Sequence, residues 1–252
     1  MSANRLDVAL VDRGLCESRE KARRAIMAGQ VTVNGQVASK PSDRVRPADE
    51  LALAAPEKYV SRGGFKLEHV LQHFKIDCAG KTAVDLGAST GGFTDCLLQH
   101  GAAKVFAVDV GHGQLAWKLR QDPRVVVMEK TNARELTAAS FPPPFPPADL
   151  VVVDCSFISL TRILPVAVAL LREPGSIVAL IKPQFEAGRA EADKGKGVIT
   201  DPAIHARVLR ELEAFAASLP EIAWRGTTAS PLLGPAGNRE FFALMEKPAA
   251  PA

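Results

Sequence analysis

A glycine-rich segment at residues 84–93 has the residue types that hold a nucleotide-like ligand. It follows an apolar run that predicts a buried strand, and it leads into a predicted helix. Glycines let the backbone approach a ligand closely, and the amides at the start of a helix face that ligand. Asp109 ends the next predicted strand, 22 residues after Gly87. Because a carboxylate there can accept hydrogen bonds from both hydroxyls of a ribose, the spacing predicts a ligand that contains ribose.

Four charged residues lie near the ends of predicted strands and could act on a substrate. Asp154 ends the fourth predicted strand, Lys182 ends the fifth, and Glu240 precedes the last. Lys66 lies in a segment ahead of the first of these strands. Open α/β sheets bind ligands beyond the carboxyl ends of their strands, so we expect the four side chains to meet at that edge. Such a set can orient a nucleophile and move a proton.

The segment at 84–93 resembles motif I of S-adenosylmethionine-dependent methyltransferases. Asp85 precedes Gly87 by two residues, and the G-x-x-x-G-G spacing that follows differs from the G-x-G-x-x-G of nicotinamide-binding proteins. The resemblance implies S-adenosylmethionine as the cofactor. The residues that we expect to bind it are Asp85, Gly87, Ala88, Ser89, Thr90, Gly91, Gly92, Phe93, Asp109, Asn132 and Asp154.

The four charged residues match, in order and context, the Lys-Asp-Lys-Glu tetrad of FtsJ-like ribose 2′-O-methyltransferases. The resemblance implies methyl transfer to a ribose hydroxyl, which is a poor nucleophile while it is protonated. We therefore interpret Lys182 as the base. A lysine between Asp154 and Glu240 is expected to be held charged, so burial, a second cation at Lys66 and the cofactor's sulfonium must push it toward the neutral amine.

The elements that position these residues alternate along the chain from residue 65 onward. Helical patterns separate most of the predicted strands, and this alternation requires right-handed crossovers. We therefore predict an α/β fold with a mostly parallel sheet and helices on both faces. The resemblance above implies that this fold is a Rossmann-like class I methyltransferase domain. The predicted strands are residues 82–86, 104–109, 124–128, 150–154, 176–181, 222–229 and 241–245.

Residues 1–57 form a smaller unit with a different pattern. Two short helices precede a predicted hairpin at residues 31–37, whose Asn-Gly pair tolerates positive φ. Arg19 and Arg23 share one face of the second helix, within a cluster of basic residues. The unit is similar to a small α+β S4 RNA-binding domain. The resemblance implies RNA contacts from Arg5, Arg13, Arg19, Lys21, Arg23 and Arg24.

An S4 domain followed by an FtsJ-like methyltransferase resembles the TlyA family, also called haemolysin A, over essentially the whole chain. For that family the implied activity is methylation of cytidine ribose in ribosomal RNA, and the implied partners are ribosomal RNA or ribosomal subunits. A proline-rich run at residues 141–147 departs from the family pattern and is expected to be a stiff surface loop. The expected divisions are an S4-like domain at 1–57, a linker at 58–64, a methyltransferase domain at 65–247 and a tail at 248–252.

Composition excludes several other classes of protein. The chain has 31 Lys+Arg against 28 Asp+Glu, a net charge of +3, so RNA would have to be bound by a local basic patch. Its four cysteines and five histidines lack disulfide or metal-ligand spacing, so we expect no metal and a reducing cytoplasm. No apolar run approaches the ~20 residues of a membrane-spanning helix, and we expect no targeting segment.

Two other functions remain open. The first is a non-catalytic RNA-binding ribosome assembly factor that keeps the cofactor pocket, and the intact tetrad argues against it. The second is a membrane-active haemolysin, which would need a long apolar segment or a strongly amphipathic basic helix. The sequence shows neither feature. It leaves the oligomeric state open.

Overall fold

The structure, a computed structural model, describes residues 3–54 and 57–249 of the chain. The chain divides into two compact units, Met1–Lys58 and Tyr59–Ala252. The last three residues of the expected tail at 248–252 lie outside the described residues.

The division between the units falls between Lys58 and Tyr59, at the start of the expected linker at 58–64. Tyr59 is 1% exposed and belongs to an apolar core of the larger unit. A helix begins at Gly63, and a Cβ added to Gly64 would lie 2.2 Å from the Tyr59 ring. Most of the segment that we expected to be a linker is therefore packed into the larger unit.

The smaller unit combines two helices with five short strands. Strand β2 pairs with β3 and β5, and β1 pairs with β4, all antiparallel. Asn34 and Gly35 join β2 to β3 with φ values of 52° and 79°, which confirms the predicted hairpin, since a tight two-residue turn requires two positive φ values. The elements are β1 (Asn4–Arg5), α1 (Leu6–Asp12), α2 (Arg19–Met27), β2 (Val31–Val33), β3 (Gln36–Val37), β4 (Arg44–Val45) and β5 (Leu51–Leu53).

A buried carboxylate links the first two helices of the smaller unit. The side chain of Asp7 has no exposed surface, and it accepts hydrogen bonds from Arg5 Nε at 3.0 Å and Arg19 Nε at 2.9 Å. The guanidinium of Arg5, with that of Arg19 beside it, lowers the pKa of Asp7 to about 2. Because an unpaired buried carboxylate is strongly destabilising, both arginines stabilise this unit in addition to any contact with RNA.

The larger unit is built on one seven-stranded sheet. Its strand order is β11-β12-β10-β9-β6-β7-β8, and β12 alone runs antiparallel to its neighbours. This order confirms the predicted mostly parallel sheet. The strands are β6 (Thr82–Leu86), β7 (Lys104–Val108), β8 (Val125–Met128), β9 (Ala148–Val153), β10 (Leu171–Ile181), β11 (Ala223–Ala229) and β12 (Phe241–Lys247).

Helices cover both faces of this sheet, as predicted. Alternate residues of a strand point to opposite faces, so Val151 and Val153 join one apolar core while Leu150 and Val152 join the other. The first core includes α6 and α9, and the second includes α3, α4 and α5. The helices are α3 (Gly63–His73), α4 (Gly92–Gln99), α5 (Trp117–Arg120), α6 (Leu164–Leu170), α7 (Pro183–Glu186), α8 (Arg189–Lys194) and α9 (Pro202–Ser218).

The proline-rich run at 141–147 is not purely a surface loop. Phe141 is 4% exposed, and its ring stacks on that of Phe145 with centroids 3.9 Å apart. Both rings contact Phe106 of β7 in edge-on geometry. The expectation of a surface loop was therefore wrong for these aromatic residues. Packing two phenylalanine rings against the core is lower in free energy than exposing them to water.

Candidate active site

The carboxyl ends of the parallel strands bring the expected site residues to one edge of the sheet. Gly87 follows β6, Asp109 follows β7, Asp154 follows β9 and Lys182 follows β10. Glu240 precedes β12, whose start lies beside the end of β10 because the two strands are antiparallel. The strand order reverses between β6 and β9, and ligands of open α/β sheets bind at such a switch point.

Two glycines shape the segment after β6. Gly87 has a φ of +91°, and a Cβ added to it would lie 2.8 Å from the carbonyl oxygen of Asp154. Gly91, the residue before α4, has a φ of +96°, and its Cβ would lie 2.3 Å from a methyl group of Leu119. Both positions require glycine for conformation and for close packing.

Asp109 is held in a fixed orientation by backbone amides. Ser89 N–H donates to its Oδ2 at 2.8 Å, and Gly111 N–H donates to its Oδ1 at 2.7 Å. Each carboxylate oxygen can accept a further hydrogen bond, so the two amides orient the group without saturating it. Asp109 faces a cavity of about 480 Å³, which we call the Asp109 cavity. Expected cofactor residues in its lining are Gly87, Ser89, Asp109, Asn132 and Asp154.

A second cavity, of about 200 Å³, lies on the other side of the glycine-rich segment. We call it the Lys66 cavity, after the lysine of α3 in its wall. The two cavities share Gly87, Ser89 and Asp154, so they adjoin at the end of β6. Expected cofactor residues in the lining of the Lys66 cavity are Gly87, Ala88, Ser89, Thr90, Gly92, Phe93 and Asp154.

Asp85 and Gly91 line neither cavity, so their contact with a cofactor stays a prediction. Asp85 is fully buried, and Thr94 Oγ1 donates to its Oδ2 at 2.7 Å. Its Oδ1 is buried without a hydrogen-bond partner among the described residues. Burial, opposed by the Thr94 hydrogen bond, raises the pKa of Asp85 to about 7. Asp85 therefore connects β6 to α4, the helix that follows the glycine-rich segment.

Lys182 has four oxygen atoms around its ammonium group. Its Nζ lies 2.7 Å from Asp154 Oδ1 in an ion pair, and 3.2 Å from the carbonyl oxygens of Asp154 and Cys155. It also donates to Ser156 Oγ at 2.8 Å. Lys182 is 7% exposed, so these contacts replace water around a buried charge. The lysine side chain is thus fixed at the end of β10.

Lys66 and Glu240 form a second ion pair. Lys66 Nζ donates to Glu240 Oε2 at 2.5 Å, and the two residues are 9% and 1% exposed. The expectation that Lys182 lies between Asp154 and Glu240 was therefore wrong, because Glu240 pairs with Lys66 while Lys182 pairs with Asp154. Pairing with Glu240 also reduces the repulsion that Lys66 exerts on Lys182. The tetrad is thus two pairs of opposite charge.

A third cavity, of about 440 Å³, contains Lys182 and Glu240 and extends the site away from the Asp109 cavity. We call it the Gln184 cavity. Its wall includes Phe157, which is 89% exposed and has a φ of 63°. The Phe157 ring lies 5.0 Å from that of Phe185. Exposed aromatic residues in a left-handed backbone conformation are typical of functional sites. The sequence feature that could have marked Phe157 is its position three residues after Asp154.

Arg134 and Gln114 also line the Asp109 cavity, and the sequence reasoning missed both. Asn132, which it included, begins a short helix of 3₁₀ type at residues 133–135. The Asn132 side chain accepts from the amide of Arg134 at 3.1 Å and donates to Glu135 at 2.7 Å. No periodic pattern marks so short a helix, so no sequence signal could have placed Arg134 at this cavity.

Most of the basic residues expected to bind RNA have partners within the smaller unit. The Arg13 guanidinium donates to the backbone carbonyls of Asp49, Arg46 and Pro47. Lys21 pairs with Glu17, which lies just before α2, and Arg24 pairs with Glu20 one turn earlier on the helix. Arg5 and Arg19 bond to Asp7. Arg23 is exposed and has no such partner among the described residues, so its charge is the freest of the six.

Two searches of the described residues gave negative results. No group of three or more His, Cys, Asp or Glu side chains within residues 3–54 and 57–249 could hold a metal ion. In the same part of the chain, no helix has the length and apolar character needed to cross a membrane.

Comparisons with known proteins match both units. The family model described as FtsJ-like methyltransferase matches residues 59–247, and the S4 domain model matches residues 4–51. YqxC of Bacillus subtilis is 50% identical over 245 residues, which cover 97% of this chain and 86% of YqxC. A Mycobacterium tuberculosis relative, the 16S/23S rRNA (cytidine-2′-O)-methyltransferase TlyA, is 47% identical over 94% of this chain and 88% of its own.

A solved structure agrees with these matches. A Streptococcus thermophilus protein described as a hemolysin has a TM-score of 0.74 and 44% identity, covering 100% of this chain and 90% of the other. The fold and the site thus define an FtsJ-like methyltransferase domain. With its S4 domain, the chain belongs to the TlyA, or haemolysin A, family, and the resemblance seen in the sequence is confirmed.

The raised pKa of Asp85 predicts a pH dependence of stability. Below about pH 4 the carboxyl is protonated in both the folded and the unfolded chain. Between pH 4 and 7 the folded chain keeps a proton that the unfolded chain loses, so the free energy of unfolding falls as pH rises. Asp85→Asn removes this titration. The free energy of unfolding of this variant, relative to that of the wild type, should therefore increase by a few kcal/mol from pH 5 to pH 8, at about 1.4 kcal/mol per pK unit.

Urea unfolding can be followed by the fluorescence of Trp117 and Trp224, which both belong to the larger unit. Glu213→Gln, at an exposed position of α9, is the matched control and should show no such trend. A stability difference between Asp85→Asn and the wild type that stays constant over this pH range would contradict the prediction.

Proposed function

We propose that this protein transfers a methyl group from S-adenosylmethionine to the 2′-hydroxyl of a cytidine ribose in ribosomal RNA. The observation that carries the proposal is the fixed Lys182 amine, paired with Asp154 where the Asp109 cavity meets the other two cavities. The TlyA relative is named for this reaction on 16S and 23S rRNA. Labelled methyl transfer to ribosomal RNA tests the proposal directly.

The Asp109 cavity fits S-adenosylmethionine by size and by chemistry. Its volume of about 480 Å³ is within the ~300–1,000 Å³ of small-ligand sites. Asp109 can accept hydrogen bonds from ribose hydroxyls, because the amides of Ser89 and Gly111 already set its orientation. Asn132, Asp154, Gln114 and Arg134 are among the other polar residues of the lining. When bound, the cofactor supplies a methyl group activated by a positively charged sulfur.

Lys182 acts as the base in the proposed reaction. Its four oxygen neighbours stabilise the ammonium form, so the amine must lose a proton before it can accept one. A positive charge brought close to Lys182 favours that loss, since like charges disfavour each other. The neutral amine would take the proton of the 2′-hydroxyl. The freed electron pair of the oxygen would form the bond to the methyl carbon as the bond from that carbon to sulfur breaks and its electron pair stays on the sulfur. Asp154 orients the amine throughout.

The second ion pair positions the substrate. Glu240 fixes the ammonium of Lys66, which faces the Lys66 cavity, and a fixed cation there can hold the ribose or a neighbouring phosphate. Phe157 offers an exposed ring on which the base of the same nucleotide can stack. In this arrangement the residues around Lys182 orient the reacting groups, and proton transfer to Lys182 increases the rate further.

RNA recruitment belongs to the S4 domain in this proposal. Arg19 and Arg23 lie one turn apart on α2, and both remain exposed. Phosphate contacts of this kind position an RNA and do not read its sequence. The implied partners are ribosomal RNA or ribosomal subunits, and an enzyme that modifies them is expected in the cytoplasm.

The first experiment concerns the cofactor. Asp109→Ala removes the carboxylate that would accept hydrogen bonds from the ribose hydroxyls. The same carboxylate accepts hydrogen bonds from the amides of Ser89 and Gly111. S-adenosylmethionine should therefore bind more weakly by about 1.5–3 kcal/mol. Calorimetric titration measures this loss. Asp77→Ala, at an exposed carboxylate, is the control and should bind normally. Unchanged affinity in a folded Asp109→Ala protein would place the adenosine pocket elsewhere.

The second experiment concerns the base. Lys182→Met keeps the length of the side chain without its amine, so methyl transfer should collapse while S-adenosylmethionine and RNA still bind. Lys182→Arg should not restore transfer, because a guanidinium stays protonated. Single-turnover transfer to ribosomal RNA is the measurement. Near-normal turnover of the arginine variant would show that a positive charge suffices. A wild type that binds RNA and cofactor without transfer would instead support a non-catalytic assembly factor.

The third experiment concerns RNA binding by the S4 domain. Arg23→Ala removes an exposed charge that has no ion-pair partner within residues 3–54 and 57–249, so RNA affinity should fall and its dependence on salt should weaken by about 0.7–0.9 in log–log slope. Cofactor affinity should not change. Lys40→Ala removes the same charge outside α2 and serves as the control. Equal salt slopes for the Arg23→Ala variant and the wild type would exclude α2 from the RNA interface.

A further inference from the structure

Glu186 ends α7 with a partly buried carboxylate that accepts two hydrogen bonds. Ser159 Oγ donates to its Oε2 at 2.6 Å, and the amide of Leu160 donates to its Oε1 at 2.8 Å. Both donors are neutral, and no Lys, Arg or His of the described residues pairs with the carboxylate. Burial raises the pKa of Glu186, although the two bonds oppose this shift. The carboxylate is held at a cost in free energy, which points to a role for the segment that it binds.

The two donors belong to the segment after β9, residues 154–160. Lys182, the residue before α7, holds the first half of this segment through two backbone carbonyls and the Ser156 hydroxyl. Glu186 holds the second half. One short helix therefore fixes the segment at both ends.

Phe157 lies between these two sets of bonds. Its φ of 63° is a left-handed conformation, which is unfavourable for phenylalanine and persists only where the surrounding structure enforces it. The ring is 89% exposed and its centroid lies 5.0 Å from that of Phe185, so packing of the ring gives little support. The bonds on both sides of Phe157, from Lys182 and Glu186, therefore hold this backbone conformation.

The direction of the Phe157 ring depends on that conformation. A change of φ from positive to negative redirects the bond from Cα to Cβ, and with it the whole side chain. The ring lines both the Asp109 cavity and the Gln184 cavity. Release of residues 159 and 160 from α7 would let Phe157 relax and would move its ring away from these cavities.

We propose that Glu186 is a positioning residue, which acts through Phe157 to present an aromatic surface to the target nucleotide. Glu186 itself contacts neither the nucleotide nor the cofactor in this arrangement. A ring that is already fixed loses less conformational freedom when a base stacks on it, so the nucleotide binds more tightly. The inference rests on the proposed function, and it identifies the contact that shapes the substrate side of the site.

The experiment measures kcat and KM of methyl transfer from S-adenosylmethionine to ribosomal RNA with full-length variants. Glu186→Ala removes both acceptors, so KM for the RNA should rise about 10-fold while kcat changes by less than about 3-fold, because Lys182 keeps its own contacts. Glu186→Gln should restore a KM close to that of the wild type, since its amide can accept from Leu160 and donate to Ser159. Ser159→Ala removes one of the two donors and should also raise KM.

A double-mutant cycle shows whether Glu186 acts through Phe157. Phe157→Ala removes the ring and should itself raise KM about 10-fold. Adding Glu186→Ala to this variant should change KM by less than about 2-fold, because the ring that Glu186 positions is already absent. Two residues that contribute independently would instead multiply their effects on KM.

Glu213→Ala makes the same substitution at an exposed position of α9, and as the control it should leave KM unchanged. Titration with S-adenosylmethionine shows that each variant is folded, and Ser159→Ala replaces Glu186→Ala in the cycle if the latter does not bind the cofactor. A wild-type KM for Glu186→Ala or Phe157→Ala, or independent effects in the cycle, would overturn the role of Glu186 and leave methyl transfer intact. A wild type that transfers no methyl group to ribosomal RNA would overturn the proposed function and this inference with it.

Discussion

Buried lysines need carboxylates, and this requirement organises the active site. Lys66 and Lys182 are both nearly excluded from solvent, and burying an unpaired ammonium in such surroundings would cost much free energy. Each has a carboxylate within 2.7 Å, Glu240 for Lys66 and Asp154 for Lys182. The first pair joins α3 to the start of β12, across 174 residues of sequence. The site is therefore complete only when the whole larger unit is folded.

The two pairs differ in their surroundings, although both are built from the same residue types. Lys66 pairs with Glu240 and lines the Lys66 cavity. Lys182 pairs with Asp154, has two backbone carbonyls and one hydroxyl as further partners, and lines the Gln184 cavity. The two lysines therefore present their charges to different cavities of the same site.

Periodicity and spacing predicted the mostly parallel sheet, its strands and the residues at its carboxyl edge. Gly87, Asp109, Asp154 and Lys182 could be placed because strand ends in a parallel sheet converge on one edge. Sequence could not decide which lysine meets which carboxylate, since that depends on side-chain packing around α3 and β12. Nor could sequence show that Asp85 is fully buried and bonded to Thr94, because a residue of a buried strand points to one face or the other according to register.

The segment from Asp154 to Phe157 contacts parts of the site that lie far apart in the sequence. The carbonyl oxygen of Asp154 lies against Gly87 and also accepts from Lys182, so the glycine-rich segment and the base share one backbone group. Asp154 lines the Asp109 and Lys66 cavities, and Phe157 lines the Asp109 and Gln184 cavities. The same segment therefore borders all three cavities and bonds Lys182. A side chain larger than glycine at position 87 would push against the Asp154 carbonyl and would disturb the glycine-rich segment and the Lys182 contact at once.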